Sequence, residues 1–289
     1  MKKFSLFSLL ALAFACNLAA PARAAESDWA KGGHVQARLL AVAAKAVPAS
    51  AADPAHAYGA LDIALDSGWH SYWRMPGEGG LAPVVKTEGS ENLKEIKLIW
   101  PKPRRYETYG MYSFGYDNGF MLPFAIVPVK EGTPVRLNLA LDIMVCNDIC
   151  IPETLKLSLD VPAAKDKDAA QAEDARLIAA GLGKAPLEKD IPRLRIENLV
   201  LGPEALVATV FSQTGFGRSD LFVELAGAKQ DIYLTAPPTI TVDDKDKRRA
   251  IMKIPAPAGS GNLADLVSGG KVILTLTAGN DAVSRSFQF

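Results

Sequence analysis

Two cysteines, Cys146 and Cys150, stand four residues apart in Val145-Cys146-Asn147-Asp148-Ile149-Cys150-Ile151-Pro152-Glu153, and their type and spacing point to sulfur chemistry. Thiols so placed can close a disulfide, exchange it with another thiol pair, or hold a soft metal ion. Three connecting residues are a common hairpin length. Directly opposed strand residues lie about 4.5–5.5 Å apart between Cα atoms, inside the roughly 4.4–6.8 Å that a disulfide accepts. Closing so short a loop contributes only about 2 kcal/mol of chain entropy, a weak reason for a purely stapling bond. Spacing alone leaves staple and exchange both open. The pair is not the C-x-x-C of a thioredoxin site, and no helix follows to lower a thiolate pKa through its N-terminus. Asp148 would raise a thiol pKa, whereas His70 or Arg74 would lower it only if folding brings them close.

The elements that must position this pair are legible around it. Val135, Leu137, Leu139, Leu141, Ile143 and Val145 alternate with Arg136, Asn138, Ala140, Asp142 and Met144, the period of a half-buried strand. Cys146 falls on the even-numbered face, so its sulfur is expected to point away from the core. Leu155, Leu157, Leu159 and Val161 alternate with Lys156, Ser158 and Asp160 in the same way, and further strands are expected at 35–43, 58–65, 94–100 and 121–129. No helix-length amphipathic pattern separates them, which excludes parallel crossovers. Strands recur near 193–201, 205–212, 220–225, 231–235, 239–243, 249–254, 271–278 and 282–289, punctuated by Pro, Gly and Asp. Between the two sets an Ala/Lys/Asp/Glu-rich stretch ends in Leu177, Ile178, Leu182 and glycines at 181 and 183, a short linker helix. The predicted fold class is all-β: two immunoglobulin-like antiparallel β-sandwich domains, 25–162 and 188–289, joined by a helical linker over 163–187. The second has no cysteine or histidine and reads as a structural or docking module.

The chain has 289 residues, 49% of them hydrophobic and 22% charged, an ordinary globular composition. At its start Lys2 and Lys3 precede an apolar run from Phe4 to Cys16, and Ala22-Arg23-Ala24 offers a small-x-small cleavage site. This predicts a cleaved signal peptide over 1–24 and export to the periplasm, a compartment that permits disulfides. Cleavage leaves Cys146 and Cys150 as the two cysteines, with 29 basic against 32 acidic residues. No later stretch reaches the roughly 18 apolar residues of a membrane span. A near-neutral charge without a basic run excludes nucleic acid as an expected partner.

Eleven of the 22 aromatic residues lie between 69 and 124, which makes this the second region of interest. In Tyr112-Ser113-Phe114-Gly115-Tyr116-Asp117-Asn118-Gly119-Phe120 the dense aromatics and polar turn residues suggest an exposed connection that could shield the sulfurs.

Trp69-His70-Ser71-Tyr72-Trp73-Arg74-Met75-Pro76-Gly77, Trp100-Pro101-Lys102-Pro103, Phe114-Gly115-Tyr116 leading to Leu122-Pro123, and the Val145–Glu153 run together resemble the amino-terminal periplasmic domain of the DsbD and ScsB thiol:disulfide interchange proteins. The match spans about residues 60 to 160, and the ordered combination is more specific than any one piece. The resemblance implies an immunoglobulin-like domain whose cysteine pair takes electrons from a thioredoxin-like domain, supplied through a membrane domain, and passes them to periplasmic partners. By position, Cys146 and Cys150 are then the redox pair, and Cys150 forms the mixed disulfides. The segment containing Tyr112, Phe114, Tyr116, Asp117 and Phe120 corresponds to a cap loop over the cysteines; His70 and Asp148 lie near the site. The expected partners are thioredoxin-like or disulfide isomerase-like proteins and a separate membrane electron donor, with no cofactor required and no metal site. The chain resembles the soluble front half of an ScsB-type protein made as its own polypeptide.

Two other readings stay open. Cys146 and Cys150 with Met144, and Met111, Met121 or His70, offer soft ligands for copper(I), in line with the copper tolerance associated with ScsB relatives. The alternative is a two-sandwich adaptor with an inert disulfide. His34 and His56 read as surface residues, and Asp243-Asp244-Lys245-Asp246-Lys247 as a solvated turn without EF-hand spacing.

Overall fold

The computed structural model describes residues 25–47, 57–163, 171–229 and 232–289; the expected signal peptide and His56 lie outside them. The chain from 25 to 163 forms two antiparallel sheets that enclose one core. The first runs, in order of pairing, Ala25–Glu26, Val35–Ala43, Ala57–Leu65, Phe120–Pro128 and Leu93–Leu98, with Ala30–Lys31 also on Val35–Ala43. The second runs Cys150–Val161, Val135–Cys146, His70–Gly77, Met111–Asp117 and Arg104–Thr108, with Val84–Lys86 also on Val135–Cys146. Leu39, Leu61, Leu122 and Phe124 from the first meet Leu137, Leu141, Val145 and Leu155 from the second. These are the residues that period-two patterning turns inward.

The first sheet is covered on its other side too. Val35–Ala43 is apolar on both faces from Leu39 onward, and Leu40 and Val42 pack with Tyr58, Ala60 and Ala125 against Ala175 and Ile178. Those last two are three apart on the helix Gln171–Leu182, hence on one side of it.

Residues 194 to 288 form a second pair of sheets around their own core. One contains Leu194–Leu201, Ala205–Ser212, Arg249–Pro255 and Thr239–Val242; the other contains Ser219–Ala226, Lys271–Ala278 and Asp281–Gln288. The strand expected at 231–235 is a correction: from Ile232 to Pro238 the backbone is irregular, and the neighbouring Pro237-Pro238 is incompatible with a central ladder. Leu234 and Thr235 are nevertheless buried, held by side chains rather than by strand pairing.

The two pairs of sheets meet along the strand Ser219–Ala226, through Thr235 on Glu78 and Arg105, and through Lys102 on the Gly279 carbonyl. Asp220, Phe222 and Glu224 alternate along Ser219–Ala226 and so share a face. Asp220 takes a two-pronged bond from Arg105 at 3.0 and 2.6 Å, and Glu224 takes one from Arg74 at 2.9 and 2.7 Å. Between them Phe222 enters a cluster of Trp73, Met75, Phe114 and Tyr116. Its ring meets those of Phe114 and Trp73 edge-on, at centroid distances of 5.0 and 5.9 Å.

Candidate functional site

Val135–Cys146 and Cys150–Val161 pair in unbroken register, from Val135 opposite Val161 to Cys146 opposite Cys150. The register is dictated by burial, since a slip of one residue would turn Leu137, Leu139 and Leu141 out of the core. It ends with the two cysteine Cα atoms 4.1 Å apart and their sulfurs bonded. Asn147-Asp148-Ile149 forms the connection, with Asn147 N donating to the Ile149 carbonyl at 2.9 Å.

The two sulfurs have unlike surroundings. Cys150 is exposed at the start of its strand. Cys146 lies on the face away from the core, as its parity requires, yet is only 2% exposed. Tyr72 covers it: the phenol hydroxyl donates to Cys146 Sγ at 3.0 Å and lies 3.8 Å from Cys150 Sγ. The strand carrying Tyr72 pairs with the cysteine strand at two positions, Ser71 opposite Val145 and His70 opposite Cys146. Ser71 Oγ pins that short ladder by donating to the Met144 carbonyl at 2.8 Å. Tyr72 is itself 3% exposed, and burial pushes its pKa up, which keeps the phenol a proton donor. Against its ring lies the backbone of Gly80, where a Cβ would stand 2.2 Å from a ring carbon.

His70 is the second group at the disulfide. It lies directly across from Cys146 on one side and Asp117 on the other. Its imidazole stacks on Tyr106 at 5.2 Å and meets Tyr72 edge-on at 5.5 Å. Burial lowers the His70 pKa from its ordinary value, partly opposed by the Asp117 carboxylate. Asp117 is in turn bound by Arg104 at 2.7 Å. Burial also raises the Tyr106 phenol well above its usual range, and its hydroxyl has no partner among the described residues.

The segment expected to cap the sulfurs is not a loop. Tyr112, Phe114, Tyr116 and Asp117 belong to the strand Met111–Asp117, and Phe120 begins the strand Phe120–Pro128. Phe114 and Tyr116 face inward, Phe114 onto Phe222, while Tyr116 donates to the Pro101 carbonyl at 2.8 Å and stacks on Phe120 at 4.1 Å. The exposed turn here is Tyr109-Gly110, which joins Arg104–Thr108 to Met111–Asp117; both residues are at positive φ, and Tyr109 is 92% exposed. The aromatics that suggested a shield instead build an interior seam. Of the remaining sequence-predicted residues, Asp148 is exposed in the turn and Arg74 reaches away to Glu224. His34 is more than a surface residue: it stacks on Trp69 at 3.8 Å and bonds Asp66 at 3.0 Å.

The soft-ligand set is divided. Met144 lies beside the cysteines, opposite Pro152, but Met111 is exposed beside the Tyr109-Gly110 turn and Met121 packs near the helix on the other sheet. Among the described residues no group of three or more His, Cys, Asp or Glu converges as a metal site. The roles of Tyr72, Tyr106 and Gly80 escaped sequence reasoning. The available clue was parity, since His70 and Tyr72 alternate on one face of a strand that the sequence pattern left undivided from the aromatic region.

Comparison with known proteins agrees with this geometry. The fold is similar to the crystal structure of the N-terminal periplasmic domain of ScsB from Proteus mirabilis, with a TM-score of 0.66 and 18% identity over 91% of this chain and 98% of that one. No curated protein sequence matches. The model of the family described as "Thiol:disulfide interchange protein DsbD, N-terminal" matches residues 36–162, which include Tyr72, both cysteines and both of their strands. Residues 36–162 of this chain thus carry the match to the DsbD amino-terminal domain family.

Proposed function

We propose that the protein is a periplasmic thiol:disulfide exchange protein that passes electrons to disulfides of partner proteins through Cys146 and Cys150. The observation that carries this reading is the asymmetry of the pair: one sulfur is exposed, and the other is buried beneath a phenol but bonded to the first. In the reduced protein the Cys150 thiolate attacks a partner disulfide, forming a Cys150–partner bond and releasing the partner's other sulfur as a thiolate. Cys146 then attacks Cys150 Sγ, re-forms the internal disulfide and releases the partner's second thiolate. Two electrons leave the pair and reduce one partner disulfide. Tyr72 stays protonated and stabilises charge developing on Cys146.

The partners fitting this chemistry are thioredoxin-like or disulfide isomerase-like proteins, and a separate membrane protein re-reduces the pair. No metal or organic cofactor takes part. Both pairs of sheets are immunoglobulin-like domains in this reading, linked through the 163–187 segment. Among the described residues no helix is long and apolar enough to cross a membrane.

The test is trapping. Cys146→Ser leaves Cys150 free at the surface, and mixing it with an oxidised thioredoxin-like protein is expected to accumulate a mixed disulfide that Cys150→Ser does not form. A mixed disulfide through neither cysteine, or equally through both, contradicts the reading.

A further inference from the structure

We infer that the C-terminal pair of sheets is a positioning element for the redox pair, acting through Thr235, Glu78 and Phe222 on Tyr72. This rests on the exchange reading above and assigns a role to the third of the chain, 188–289, that carries no cysteine.

Tyr72 is held from three directions. Its hydroxyl meets Cys146, its ring lies against Gly80, and its backbone is opposite Gly115 in the ladder with Met111–Asp117. Two of these supports lead to the C-terminal sheets. Glu78, two residues before Gly80, accepts a hydrogen bond from the Thr235 hydroxyl, and the Thr235 carbonyl accepts one from Arg105. Thr235 is buried and thus joins the loop over Tyr72 to the Arg105–Asp220 pair.

The second route is the bulge. Between Tyr72 opposite Gly115 and Gly77 opposite Ser113, His70–Gly77 advances five positions while its partner advances two. The excess pushes Trp73 and Met75 out of the ladder, and Phe222 receives them together with Phe114. A bulge leaves the residue beside it poorly fixed by backbone bonds alone. Packing of Phe222 against Trp73 and Phe114 supplies the constraint, one residue from Tyr72 and one from Gly115.

A donor stabilises a thiolate more than it stabilises a disulfide sulfur, so loosening Tyr72 disfavours the reduced pair. The experiment is a double-mutant cycle on the full mature chain, Thr235→Val and Tyr72→Phe singly and together. It reads the dithiol–disulfide equilibrium constant in dithiothreitol buffers at pH about 8.5, where an ordinary thiol is half ionised. Thr235→Val is expected to shift the constant about threefold toward the disulfide, and to shift it no further in the Tyr72→Phe background. Glu78→Ala should reproduce the shift, whereas Glu78→Gln, which keeps an acceptor oxygen, should leave the constant near its wild-type value.

An unchanged constant in folded Thr235→Val overturns the inference, and so does a shift of equal size with and without the Tyr72 hydroxyl. Dithiothreitol reaches staples as well as exchange pairs. A wild-type pair too stable to exchange with glutathione therefore removes the functional reading, while the cycle still reports whether Thr235 and Tyr72 are coupled.

Discussion

The hydroxyl of Tyr72 donates to Cys146 Sγ at 3.0 Å from a neighbouring strand, and this contact distinguishes the two sulfurs of the disulfide. Cys146 faces away from the core and would otherwise be open to solvent. The phenol closes it off while leaving Cys150 exposed, the asymmetry on which the proposed exchange mechanism rests.

Tyr72→Phe removes the donor and keeps the ring. The thiolate form of Cys146 loses a hydrogen bond that the disulfide values less, so the reduced pair is destabilised and becomes a stronger reductant. A shift of roughly 20–30 mV to more negative potential is expected, equivalent to about 1 kcal/mol. Thiol trapping in redox buffers checks it; a potential that moves the other way would show that the phenol favours the disulfide.

Gly115 tests how tightly Tyr72 is backed. A Cβ there would fall 1.9 Å from the carbonyl oxygen of Ser71, a backbone atom that cannot move without opening the ladder that carries His70 and Tyr72. Gly115→Ala is expected to destabilise the fold by about 1–3 kcal/mol in urea unfolding and to increase alkylation of Cys146 in the reduced protein. Unchanged stability and reactivity would mean that the strand pair is looser than its register implies.

His70 gives the site an acid-sensitive side. Burial holds its folded pKa below the ordinary 6.5, so between those two values the unfolded chain binds more protons than the folded one. Stability from this group is present above pH about 6.5 and is lost as pH falls through the lowered folded value. The groups around His70 are Tyr72 on its own strand, Tyr106 on the Arg104–Thr108 strand, Asp117 with Arg104, and the Cys146 sulfur. His70→Gln should flatten the loss of stability between pH 7 and pH 5, measured by urea midpoints. An equally steep profile would assign the acid sensitivity elsewhere.

How much of this could be read from residues alone follows the physics of each segment. Val135–Cys146 and Cys150–Val161 alternate strictly because one face is core and the other is not, so their ends, their register and the opposition of the cysteines were all legible. His70–Gly77 and Met111–Asp117 were not. They are buried on both faces, by the contact with the Cys146–Cys150 disulfide on one side and the seam with Phe222 on the other, and a strand buried twice loses its period. The same cause turned an aromatic strand into an expected loop over Tyr112–Phe120. On Ser219–Ala226 the strand itself was readable, but nothing local marks Asp220, Phe222 and Glu224 as a contact face. What it meets, Arg105, Trp73 and Arg74, lies more than a hundred residues earlier. Ile232–Pro238 misled in the opposite sense, since Leu234 and Thr235 are buried without belonging to a ladder.

The central claim is that Cys146 and Cys150 exchange electrons rather than staple a turn, and the midpoint potential of the pair in the purified mature protein tests it most directly. Thiol trapping in glutathione and dithiothreitol buffers is predicted to give a value of about −180 to −270 mV. A value below about −300 mV would identify a structural disulfide and contradict the account.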